Sequence, residues 1–252
     1  MIFELINFVG QFGDSKYTQG DRLKELHHFL KKVPRNDRKN LQKIIDAAFG
    51  TSRKSLCDQF IYLREGAVGQ TFSQRSYKQL VTDVADHVRI DWKALLKKTG
   101  KKWKKLKSSE IEDAIVLKVF SEVFYKLPED KQRELLTQVN GIAQGKDFTG
   151  ELITASSLTL AKLSGFQVYL LATTTLGAMT GMLGITLPFV VYTTLTSSIA
   201  IALSPVGWIA LGAWTILRLD EPDWSKLTAG VIYISYLRRK LEYEQSTPET
   251  SR

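Results

Sequence analysis

Residues 163–217 run for 55 positions without an Asp, Glu, Lys or Arg, in a 252-residue chain that is 24% charged. Few environments accept such a stretch: a protein core, a bilayer, or each in turn. A spanning helix takes about 20 apolar residues, so the length suffices for two spans and a turn. Pro188 and Pro205 punctuate it, leaving segments 166–187 and 189–217. The side chains predicted to face lipid are Phe166, Tyr169, Leu170, Leu171, Leu176, Leu183, Leu187, Pro188 and Phe189, then Ile199, Ile201, Pro205, Trp208 and Trp214. Gly177, Gly181 and Gly184, with Gly207 and Gly212, are predicted to let helices approach closely, and the GAMTG spacing does so in a membrane or in a soluble bundle alike.

Insertion of the first segment is marginal. Each Leu, Ile, Phe or Val at mid-membrane contributes about −0.3 to −0.6 kcal/mol, so its eight such residues reach roughly −2 to −5 kcal/mol. Three glycines, Gln167 and five threonines oppose that. Three arrangements stay open: a permanently buried helix pair, an integral membrane hairpin, and a soluble bundle that shelters the hairpin and releases it at a membrane. The amphipathic helices elsewhere are numerous enough to favour the last.

Those helices follow from periodicity. Leu23, Leu26, Leu30 and Val33 share one face, with Lys24, Lys31 and Lys32 off it. RKNLQKIIDAAFG continues in the same style toward a stop at Gly50. Leu80, Val81, Val84, His87 and Val88 form a further stripe. Ile111, Ile115, Val119 and Val123, flanked by Val116, Phe120 and Phe124, define a core helix preceded by a capping-box spacing from Ser109 to Glu112. Pro128 suits the start of another helix. WSKLTAGVIYISYLRRKLEYEQ reads as an amphipathic helix closing on Arg238, Arg239 and Lys240, followed by a polar tail. The predicted fold is all-α: a helical bundle surrounding a long apolar, Gly-containing hairpin. A basic region, 1–107, precedes a helical domain, 108–252.

The formal net charge of +9 is unevenly spread, for residues 1–107 carry 23 Lys/Arg against 11 Asp/Glu. That half therefore points to an anionic partner. Its densest part is KKTGKKWKKLK, where Lys97, Lys98, Lys101, Lys102, Lys104, Lys105 and Lys107 surround Trp103. A solvated connector explains the run; so does a basic–aromatic anchor for anionic lipid, with Trp103 at headgroup level. Nucleic acid is the least favoured partner, because no recognition motif accompanies the lysines.

The segments EIEDAIVLKVFSEVFYKLPEDKQRELL, GFQVY, LSPVGWIALGAWTI and TAGVIYISYLRR resemble, in order, the YaaW-like family of uncharacterised bacterial proteins, as does SYKQLVTDVADHVRIDW. The resemblance covers about residues 76–240; residues 1–50 and the long Lys-rich insert depart from it. It implies an all-helical protein on the cytoplasmic side, loosely grouped with ubiquinol–cytochrome c chaperones, and it lends no catalytic residue.

Little in the chain suggests catalysis. Cys57 is the single cysteine and lacks a nucleophile signature around it; it forms no intrachain disulfide and suits a reducing compartment. His27 and His28 are adjacent, so they cannot share a helix face, and no metal-ligand spacing occurs. Glu110, Glu112 and Asp113 are accounted for by capping and solvation. The N-terminus does not resemble a secretory signal. The sequence thus predicts a membrane-active, non-enzymatic protein, with neither cofactor nor metal, whose hairpin enters a bilayer and oligomerises toward a pore. It would work from the cytoplasm, at the cytoplasmic face of an anionic membrane. A chaperone for a membrane-protein client is the second reading, and nucleic-acid binding the third.

Overall fold

The computed structural model describes residues 23–48, 50–125, 129, 132 and 222–246. Among them the regular elements are helical and no strand occurs, as the all-α expectation requires. In chain order these are α1 (Lys24–Phe29), α2 (Arg35–Ile44), α3 (Arg53–Phe72), α4 (Tyr77–His87), α5 (Trp92–Thr99), a 3₁₀ turn (Trp103–Lys105), α6 (Ser108–Phe124) and α7 (Trp224–Ser246).

Local chemistry sets the boundaries. Pro34 ends the α1 region and caps α2, since its ring fixes φ and its missing N–H costs a helix start nothing. α2 stops at Ile44, short of the predicted Gly50, because Asp46 takes a left-handed conformation at φ 51°. The freed backbone is then satisfied locally: Gln42 Nε2 donates to the Ala47 carbonyl at 2.9 Å, and Gln59 Nε2 to that of Ile45 at 3.0 Å. Ser76 opens α4 with a full capping box, its hydroxyl accepting from the Gln79 N–H while Gln79 accepts from the Ser76 N–H. α3 is kinked at Gly66, whose φ of 69° and ψ of −174° suit a residue without Cβ.

The centre of the fold is α7, which packs against α2, α3, α4 and α6. With neighbours on so many sides it cannot be amphipathic. Every residue from 227 to 237 is buried, three turns without an outward face. Small residues make this geometry reachable. A Cβ on Gly230 would lie 2.7 Å from Ile45 Cγ2 and 2.8 Å from Phe60 Cε1. α4 and α6 pack on each other beside it, and their stripes close the core as the sequence predicts: Leu80, Val81, Val84, Ile111, Ile115 and Phe120 are all buried. His87 is only half-buried; its ring stacks on Trp224 at 4.3 Å, where the Arg64 guanidinium also lies 5.1 Å from the indole.

The membrane-active reading requires correction. Among the described residues no helix is long and apolar enough to cross a membrane. The reason is visible in α7: its uncharged run is bounded by Lys226 and Arg238, about half of a span, and is enclosed by protein. Nothing in the described fold supports bilayer insertion or pore formation. The stretch 163–217, with its predicted lipid-facing residues and its glycines, lies outside the described residues, as does the helix predicted at Pro128 apart from helical Glu129 and Gln132.

Candidate functional site

Two charged regions stand out, and the first is the Lys-rich segment. Asp91 caps α5 by accepting from the Ala94 N–H at 2.9 Å, and Gly100 ends the helix at φ 63°. The chain then makes its 3₁₀ turn, closed by Lys105 N–H to the Lys102 carbonyl at 2.8 Å. Leu106 is buried with Leu95 and Ala114 and pins the turn to the body. From α4, Lys78 Nζ donates to the Trp103 carbonyl at 3.0 Å and lies 5.1 Å from the Trp103 ring centroid. The Trp92 ring meets Trp103 edge-to-face at 4.8 Å and is itself fixed by Nε1 donating to Asp86 at 2.6 Å. Trp103 still leaves 39% of its surface in solvent. The segment is thus an ordered platform braced from three elements.

Its lysines divide into groups. Lys101 is paired with Glu110 at 2.6 Å, and Lys98 is half-buried, which lowers its pKa although Asp113 opposes the shift. Lys97, Lys102, Lys104, Lys105 and Lys107 are exposed. Five ammonium groups within eleven residues make a local positive field that an anion relieves.

The second region lies inside. Arg238, Arg239 and Lys240 follow one another at the end of the buried run, and successive helical residues point about 100° apart. On a helix ringed by neighbours they reach different acids: the first two meet adjacent carboxylates of α6, and Lys240 meets one of α2. Arg238 Nε donates to both Glu112 oxygens, at 3.1 and 2.9 Å, on α6, and its Nη2 to Glu25 on α1 at 3.3 Å. Arg239 pairs with Asp113, which also accepts from the Ser235 hydroxyl at 3.2 Å. Lys240 reaches Asp37 on α2 at 2.9 Å. The Phe29 ring, 4.4 Å from the Arg238 guanidinium carbon, covers the cluster's edge.

Glu112 was expected to be a capping residue. It is instead fully buried, and the capping role belongs to Glu110, which accepts from the Lys107 N–H at 2.8 Å. Burial pushes the Glu112 carboxyl up to about 7, against the pull of Arg238 and Tyr77. Burial likewise raises Asp113, opposed by Arg239, and holds the Tyr77 phenol well above its usual range, with Glu112 adding to the rise. The signal available in the sequence was an acidic pair, Glu112 and Asp113, on a helix with a wide apolar face, matched by three consecutive cations in another helix.

Cys57 is buried, and burial pushes its thiol up to about 12. Burial also lowers His27, with Arg53 adding to the effect. Among the described residues no group of His, Cys, Asp and Glu could hold a metal ion.

The chain is similar to UPF0174 proteins of Helicobacter pylori. One from strain J99 is 25% identical over 167 residues, 66% of this chain and 62% of that protein. A second, from strain 26695, is 26% identical over 171 residues, covering 66% and 77% respectively, and another from J99 is 27% identical over 173 residues, covering 67% and 78%. The chain therefore spans less than two thirds of the length of the first of these. No family model matches it, and no solved structure matches it. The relatives support an uncharacterised bacterial family; they support neither the YaaW-like name, nor the chaperone grouping, nor insertion into a membrane.

Proposed function

We propose that the chain is a non-enzymatic helical docking module that binds phosphate-bearing surfaces through residues 97–107. Anionic lipid headgroups at the cytoplasmic face of a membrane are the partner it fits best, and it rests on them without entering the bilayer. The observation that carries this reading is the braced Trp103 platform with its exposed Lys97, Lys102, Lys104, Lys105 and Lys107. A basic residue near an anionic surface contributes about 1 kcal/mol, so five give roughly 5 kcal/mol, a weak and reversible attachment. A half-exposed indole suits the headgroup level. Among the described residues the interior titratable groups of α6 and α7 pair helices with one another, and Cys57 is sealed, which favours a non-enzymatic reading.

Sedimentation with vesicles tests this. Retention is expected on phosphatidylserine-containing vesicles, falling steeply as salt rises to about 0.15 M, and not on pure phosphatidylcholine. Equal retention on both would overturn the reading. Displacement from anionic vesicles by a trace of single-stranded nucleic acid would move the partner to nucleic acid.

A further inference from the structure

The interior cluster is more than a set of fasteners, because its charges do not divide evenly. One guanidinium, Arg238, serves two carboxylates on different helices. Glu112 has no solvent exposure, whereas the Glu25 side chain is 46% exposed. Both oxygens of Glu112 are answered by the same Nε, while Nη2 turns to Glu25, which also accepts from the Ser108 hydroxyl at 2.6 Å. A carboxylate taken out of water with half a claim on one cation is costly to keep ionised.

The groups around Glu112 are the following. Arg238 faces it from α7, Tyr77 from α4, and Glu25 reaches the shared guanidinium from α1. Its neighbour on α6, Asp113, is occupied by Arg239 and lies near Lys98 of α5. Tyr77 keeps its proton, so it brings no charge at neutral pH.

We propose that Glu112, Arg238 and Glu25 form a proton-operated switch between α6 and α7. With a proton on Glu112 the guanidinium is released to Glu25, and without it the guanidinium is drawn to Glu112 and the ionised carboxylate strains the packing. The site takes its proton from solvent and returns it there, with no bond other than O–H made or broken. The two helices it couples are those on either side, in sequence, of the uncharged stretch. The inference is independent of the docking proposal.

The direction follows from linkage. A carboxylate that binds its proton more tightly folded than unfolded stabilises the fold below its unfolded pKa of 4.5, and that stabilisation is lost as pH rises toward about 7. Through this one site the unfolding equilibrium constant should rise by up to about tenfold per pH unit in that window.

Two measurements test it on the full chain. Carbon NMR of glutamate carboxyls should show Glu112 titrating near neutrality, and Glu25→Gln should move that midpoint down by leaving Arg238 to Glu112 alone. Urea unfolding across the same window should lose its slope from this site in Glu112→Gln. A Glu112 midpoint in the ordinary carboxylate range, one unmoved by Glu25→Gln, or a slope kept by Glu112→Gln would each overturn the switch. The NMR arm decides even if Glu112→Gln fails to fold, since it needs only the wild type and the Glu25 variant.

Discussion

Lysines and arginines do opposite work in two neighbouring regions of this molecule. In the 97–107 platform five of the seven lysines stand in water, where each is worth little to the fold. In the interior, Arg238, Arg239 and Lys240 are each matched to a carboxylate on another helix, and the pairs fix how α7 sits among its neighbours. The difference is solvent. In water a charge is cheap and free to meet a partner from outside; in the core it must already have one.

Four variants sharpen the contrast, beginning with the largest effect. Arg238→Ala strands Glu112 in the core and should cost about 3–5 kcal/mol in urea unfolding above neutral pH. The loss should shrink toward about pH 5, where Glu112 carries a proton. If the loss were the same at both pH values, Glu112 would not be the group left exposed to the defect. Gly230→Ala inserts a methyl where Ile45 and Phe60 already stand, and should cost about 1–3 kcal/mol through overpacking. Ser76→Ala removes the hydroxyl that caps α4, for about 1 kcal/mol, visible as a lowered Tm. The triple variant Lys102→Glu, Lys104→Glu, Lys105→Glu should change stability by no more than about 0.5 kcal/mol.

Much of the helical layout was legible in the sequence, because amphipathic periodicity is a local signal. Leu23, Leu26, Leu30 and Val33 are buried as their spacing predicts, and so are Ile111, Ile115 and Val119. What escaped depends on neighbours distant in the chain. α7 reads as amphipathic from its terminal charges, yet four packed helices bury its entire middle. Glu112 reads as a cap from its spacing to Ser109, but α6 begins two residues earlier and Glu110 takes that role, freeing Glu112 to face Arg238 across 126 positions of sequence. The platform residues were visible as a charge run; their order was not, since the brace from Lys78 and Trp92 arrives from elements that precede the run. The expectation of a pore-forming hairpin came from the length, apolar composition and glycine spacing of 163–217. Among the described residues no helix, the enclosed α7 included, is long and apolar enough to support it.

The most direct test of the contrast reads stability and docking on the same protein. Wild type and the Lys102→Glu, Lys104→Glu, Lys105→Glu variant are compared by urea unfolding and by retention on phosphatidylserine-containing vesicles. Superimposable unfolding curves and loss of nearly all retention in the variant are expected. Retention at the wild-type level by a fully folded variant would contradict the docking reading, and would place the anion-binding surface elsewhere on the chain.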